Sequence, residues 1–174
     1  DPVLSRGLGD VYKRQLVNNV ATSGMVMSAA ILVGLSRKIL DLATAYTLDR
    51  KQFGKPIGSF QAVKHMLAQA AIEIEFSKAT LYRAAYSLDN DNPLQKLHAA
   101  QAKLQAIDAC EMASRNSMQA HGAMGYTWEM DLHIFIRRGW SYKQVWGNKS
   151  LLENYIMNQL EKDLPKLGST YTFL

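Results

Sequence analysis

The residues with the most chemical content lie between apolar stretches rather than within them. Arg50-Lys51-Gln52-Phe53-Gly54-Lys55-Pro56-Ile57-Gly58 brings a guanidinium, an amide and an aromatic ring into a run broken by Gly54, Pro56 and Gly58. Arginine presents a planar fork of donors suited to anionic oxygens. Gln52 adds amide hydrogen bonds, and Phe53 an apolar wall. Phe60-Gln61 follows closely. A second segment, Gln119-Ala120-His121-Gly122-Ala123-Met124-Gly125-Tyr126, sets an amide near a glycine, which lets backbone approach a ligand closely. A third, Val145-Trp146-Gly147-Asn148, carries an indole and an amide.

General catalytic motifs do not compete with these segments. There is no P-loop, no dinucleotide GxGxxG, no HExxH and no nucleophile elbow. His65, His98, His121 and His133 stand at no metal-ligand spacing, so no metal is expected. Glu73 and Glu75 are two residues apart and do not share a helix face. The one cysteine, Cys110, falls in a helical pattern, where a buried inert thiol is expected.

The formal charge is +5 over 174 residues. The basic pairs Arg37–Lys38, Arg50–Lys51 and Arg137–Arg138 are scattered, which disfavours a nucleic-acid stripe. Apolar residues make up 48% of the chain, enough for a core. No run of about 18 uninterrupted apolar residues suggests a membrane span.

The elements that must position these segments are helices. Residues 16–49 repeat apolar side chains at three- and four-residue steps through Met27, Ile31, Gly34, Leu35, Ile39, Leu42, Ala43 and Tyr46. Gly34 within that pattern predicts a close helix approach. A second helix is expected over 59–89, capped by Ser59, with Val63, Met66, Leu67, Ala70, Ile74, Leu81 and Ala85 inward. A third is expected over 93–121, entered through Asn92, Pro93 and a capping-box Gln95. A short helix over 130–140 and a last one over 148–163, capped by Asn148, complete the set. Short loops between long helices predict an all-α, up-down four-helix bundle.

The first fifteen residues, DPVLSRGLGDVYKRQ, show no clear apolar period and resemble a translated sequencing adaptor. They are expected to be a non-native leader, detached or poorly packed. Residues 16–165 would be the domain, and 166–174 a tail with little regular structure.

The first segment, with Phe60-Gln61, resembles the acyl-CoA dehydrogenase signature RxQFGxPI…FQ. The second resembles that family's QxxGGxGY, and the third falls where many members carry YEGT. Order and spacing agree from Leu16 to Leu164. The resemblance implies the C-terminal helical bundle of a bacterial, cytoplasmic flavoenzyme. Such enzymes remove a proton α to a thioester and pass a hydride from the β carbon to FAD, giving an enoyl-CoA. It further implies a homo- or heterotetramer, an acyl-CoA substrate, and electron-transfer flavoprotein as acceptor. By the same resemblance, FAD contacts fall on Arg50, Gln52, Phe53, Gln61, Gln119, Gly122, Ala123 and Asn148. Arg50 would reach the FAD of a neighbouring subunit. Ala123 replaces the family's second glycine, and Asn148 the threonine of YEGT.

One departure bears on catalysis. The family's base is a glutamate at one of two positions, which here match Trp146 and Gly24; neither can accept a proton. Glu129 and Asp131 are the nearest other carboxylates in sequence and the weak candidates for a relocated base. The run Gly125-Tyr126-Thr127-Trp128-Glu129, with Asp131-Leu132-His133, resembles a branch that acts on steroid side-chain thioesters. Some members of that branch pair with a subunit lacking the base. The chain is therefore expected to be part of an acyl-CoA dehydrogenase. The alternatives are a non-catalytic partner subunit, an acyl-CoA oxidase, or a helical interaction or nucleic-acid-binding module.

Overall fold

A computed structural model describes the backbone of residues 2–162 and the side chains of 13–161. The tail expected after Pro165 lies outside the described residues. The order is α1 (Pro2–Asp49), β1 (Lys51–Gln52), β2 (Lys55–Pro56), α2 (Gln61–Asp89), α3 (Gln95–His121), α4 (Leu132–Tyr142) and α5 (Lys149–Lys162). The all-α bundle expected from the sequence is present. A hairpin of two short antiparallel strands interrupts it, with Lys51 opposite Pro56 and Gln52 opposite Lys55.

Helix α3 packs extensively against both α1 and α2. Its alanines explain why. Ala99, Ala100, Ala102, Ala106, Ala109 and Ala113 are all fully buried, and small side chains let neighbouring helices approach. The α4 residues Leu132 and Ile136 pack with Ile39, Leu40, Ala109 and Ala113. In α5, Leu152 packs with Met25, Val26, Ala29 and Ile107. Helices α4 and α5 thus fill the fourth place of the bundle in succession, broken at 143–148. Arg83 Nη2 donates to His98 Nε2 at 2.8 Å, and His98 Nδ1 bonds Ser87 Oγ at 2.6 Å, tying α2 to α3. Burial first, and Arg83 second, hold His98 below its usual pKa.

Several local expectations are corrected. Helix α1 begins at Pro2 and not at residue 16, and the side chains of 13–20 are exposed. The inward face of α1 is Met25, Val26, Ala29, Leu32, Val33, Ile39 and Ala43, whereas Met27 and Ile31 are exposed. The helix is apolar on both sides, so periodicity does not reveal which side meets its own bundle. Gly34 is exposed, and a methyl there would meet nothing within 4 Å, so no described residue makes the close approach. In α2, Ala84 is buried and Ala85 exposed.

Ser59 does not cap α2. Residues Ile57–Ser59 form a 3-10 turn, Ser59 Oγ donates to Pro56 O at 2.7 Å, and the helix begins one residue after Phe60. Pro93 stays outside α3, and Asn92 Oδ1 accepts from Leu94 N at 2.8 Å in place of a capping box. Asn148 does cap α5, its Oδ1 accepting from Leu151 N at 3.0 Å.

By length and composition alone, Lys13–Asp49 of α1 is long and apolar enough to cross a membrane, a test that the core helix of a soluble bundle also passes. Its middle is nevertheless the bundle's inner helix, with Ala29, Leu32, Ile39 and Ala43 at 0% exposure. The outer stripes of Val20, Met27 and Ile31 on α1, and Ile72, Phe76, Tyr82 and Tyr86 on α2, are exposed. Such contiguous apolar surface favours association. The chain produced alone is expected to self-associate, which size-exclusion with light scattering would register; a clean monomer at high concentration would contradict this.

Candidate functional site: an exposed hairpin end and a Trp146–Gly24 pair

Seven of the eight expected contact residues gather at one end of the bundle, where α1 and α3 finish and α2 starts. The Tyr46 and His121 rings stack there with centroids 4.2 Å apart, which joins the α1 end to the Gln119–Tyr126 segment. The hairpin continues directly from α1, Arg50 N donating to Tyr46 O at 2.9 Å and Ile57 N to Arg50 O at 2.8 Å. Gln61 opens α2 beside it.

The hairpin tip is unusual. Phe53 and Gly54 both have positive φ, 53° and 78°, as a tight two-residue turn requires. Asparagine and glycine take that conformation readily, whereas an aromatic residue is strained in it. The ring is nonetheless 91% exposed, meeting Phe60 edge-on at 6.2 Å. Arg50, Lys51 and Lys55 are exposed around it and make no ion pair among the described residues. The hairpin tip thus combines a strained backbone, an uncovered ring and cations without an ion pair among the described residues.

Gly122 has φ 59°, and a methyl on it would meet no protein atom within 4 Å. Glycine is needed there for its conformation, and the space beside it is open. Gln119 and Ala123 flank it and are exposed. Gly125 is different: a methyl would lie 2.7 Å from Met118 Sδ, so this glycine serves internal packing.

Asn148 stands apart from this group, in the α4–α5 loop with Trp146. Trp146 has φ 60° and Gly147 φ 115°. The indole covers Gly24 on α1 so closely that a methyl there would collide with three indole carbons, Cδ2, Cε2 and Cγ. The two positions where the resemblance looks for a base are therefore in contact, and the indole leaves no room for a side chain at position 24. Sequence reasoning named both residues but not their contact. A tryptophan paired with a glycine at such separation carries no local signal.

Gly24 and Asp49 are separated by 25 residues of one helix, about 37 Å at 1.5 Å per residue. Glu129 and Asp131 precede α4, at the end of that helix away from Trp146, and both are exposed. Trp128 packs edge-on against His133 at 4.7 Å, with Arg137 over its ring.

The family model described as acyl-CoA dehydrogenase, C-terminal domain, matches residues 16–161. The chain belongs to the acyl-CoA dehydrogenase family. It is 32% identical over 147 residues to acyl-CoA dehydrogenase IpdE2 of Mycobacterium tuberculosis, covering 83% of this chain and 42% of that protein. A glutaryl-coenzyme A dehydrogenase solved with glutaryl-CoA superposes with TM-score 0.77 at 32% identity, over 86% of this chain and 38% of that one. A variant of a steroid ACAD gives TM-score 0.75 at 26% identity, over 79% and 38%. The chain thus spans about two fifths of the length of the relatives it matches.

The Trp146–Gly24 contact predicts a strong coupling. Gly24→Ala overpacks the indole and should destabilise the chain by about 1–3 kcal/mol. In a Trp146→Ala background the same change should cost almost nothing, a coupling that a double-mutant cycle by urea denaturation measures. Equal costs in both backgrounds would place the indole elsewhere.

Proposed function

We propose that this chain is the C-terminal domain of a flavin-dependent acyl-CoA dehydrogenase subunit and supplies FAD contacts to an oligomer. The strained, exposed Phe53 ring among unpaired cations carries the proposal. Arg50 would hold the FAD pyrophosphate, Gln52, Gln61 and Gln119 would give it amide hydrogen bonds, and Phe53 would wall the ligand. Gly122 and Ala123 would let backbone come close. When bound, the flavin supplies the hydride acceptor for α,β-dehydrogenation of an acyl-CoA thioester. The 37 Å estimate along α1 exceeds the length of an extended FAD. Arg50 and Asn148 would therefore serve different flavins, as expected where a subunit contributes to its neighbour's site.

A second reading concerns catalysis in this subunit. The indole over Gly24 favours a non-catalytic partner within a heterotetramer: it occupies both base positions, and Glu129 and Asp131 stand beyond α4. Likeness to a steroid ACAD supports a steroid or fatty acyl thioester as substrate of the complex. Electron-transfer flavoprotein is the proposed acceptor and the bacterial cytoplasm the proposed location. The test is co-expression of the full-length subunit with acyl-CoA dehydrogenase subunits of the same genome that carry glutamate at a base position. Flavin in both assemblies, with acyl-CoA turnover in the co-purified complex alone, is expected. Full turnover by the homomer would defeat the partner reading, and absence of flavin from both would defeat the first.

A further inference from the structure

Among the described residues, the ionisable side chain with least exposure belongs to neither group. Lys103, a third of the way along α3, is 0% exposed. Its Nζ donates to Ser28 Oγ on α1 at 2.9 Å and to the backbone carbonyl of Tyr142, the last residue of α4, at 2.6 Å. No carboxylate pairs with it among the described residues. Lys103 is thus a donor to two neutral acceptors, not half of an ion pair.

Both acceptors lie beside the Trp146–Gly24 contact. Ser28 is one helical turn beyond Gly24 on the same face of α1. Its hydroxyl proton goes to Met25 O at 3.0 Å, leaving its lone pairs for Lys103. Tyr142 O is one of the last carbonyls of α4, which have no partner within the helix. Lys143 N and Gln144 N serve Gly139 O and Ser141 O, and no described backbone N–H serves Tyr142 O. Four residues later comes Trp146, whose positive φ must be maintained by its surroundings. Outside contacts help: Lys143 Nζ reaches Glu111 at 3.0 Å and Lys149 Nζ reaches Asp108, both pairs partly exposed. Among the described residues, Lys103 is the buried side-chain donor at the end of α4, where the loop departs.

We propose that Lys103 is the positioning residue of the 143–148 loop, joining the end of α4 to the α1 face that carries Gly24 and so holding the Trp146 indole on that glycine. The inference stands on this chain's own contacts, whichever subunit performs the chemistry. Two acceptors match the two N–H bonds of a neutral amine and leave the third hydrogen of an ammonium unpaired.

Burial pushes Lys103 down to about 8 from 10.5, offset in part by Cys110. Cys110 on α3, whose own thiol is raised by burial, Tyr142 on α4 and Tyr155 on α5 are the other titratable groups packed in this core; the Glu111–Lys143 pair lies just beyond, and α1 offers only Ser28. Between about 8 and 10.5 the unfolded chain holds a proton that the folded chain does not. This group's contribution to stability therefore rises with pH through that window, and its penalty is complete below it.

The experiment uses the 174-residue chain with Trp128 and Trp140 changed to phenylalanine, leaving Trp146 as the sole emitter of its three tryptophans. Lys103→Met keeps the length and removes both bonds. The expected result is a red shift of Trp146 emission and acrylamide quenching close to that of a free indole, with far-UV helix content retained. The parent should also show an emission change centred near pH 8, the value to which burial holds Lys103, that the methionine variant lacks. A folded Lys103→Met chain with unchanged emission and quenching would overturn the proposal. Should that variant not fold, Ser28→Ala decides, since it removes one acceptor and keeps the lysine. A smaller red shift supports the clasp, and none refutes it.

Discussion

In the full-length, flavin-loaded homomer, Trp146→Glu is expected to speed flavin reduction by acyl-CoA about a hundred- to ten-thousand-fold, the usual contribution of a positioned base. The change does two things at once. It removes the indole that covers Gly24, and it places a carboxylate at one of the two base positions. Trp146→Gln makes the same space without basicity and should leave reduction slow. Anaerobic mixing with acyl-CoA, following flavin bleaching, separates the three proteins. Loss of the indole's packing on Gly24 would by itself destabilise the fold, so thermal melting accompanies the kinetics. A folded, flavin-loaded glutamate variant no faster than the parent would show that more than the base is missing. Rapid bleaching in the parent, indifferent to position 146, would put the base elsewhere and direct attention to Glu129 and Asp131.

Arg50→Ala in the same assembly is expected to weaken FAD binding about ten- to a hundredfold, the loss of one charge-assisted partner worth about 1.5–3 kcal/mol. The guanidinium is exposed, unpaired among the described residues and set at the root of the hairpin whose tip offers Phe53. Arg50→Lys should recover only part of the affinity, because an ammonium keeps the charge but not the planar fork. Titration of apo-protein with FAD, read by flavin fluorescence, gives the three affinities. Because the residue is exposed and its side chain supports no described packing, melting temperature in the absence of flavin should hardly change. Unaltered FAD affinity in Arg50→Ala would remove this end of the bundle from the flavin site.

Much was legible in the sequence, because helix periodicity and turn chemistry are local. The starts and ends of α2, α3 and α5 fall within a few residues of those expected, and Asn148 caps α5 as its position suggests. The segments Arg50–Gly58 and Gln119–Tyr126 could be matched to the family from residue type and spacing alone. The sequence did not reveal which side of α1 faces inward, because that helix is apolar around its circumference and only its neighbours choose between Met27 and Val26. Nor did it show that Ile57–Ser59 would tighten into a turn and displace the expected cap. The site divided in the same way. Residue identity alone established that neither Trp146 nor Gly24 can act as a base. That they touch, 122 positions apart in the chain, followed only from folding α1 against the α4–α5 loop. Lys103 is the sharpest case. In sequence it is one more cation on a helix, but packing of α1 and α4 around α3 removes it from water and gives it Ser28 and Tyr142. Burial and long-range partners are properties of three helices meeting, and no window of a single helix contains them.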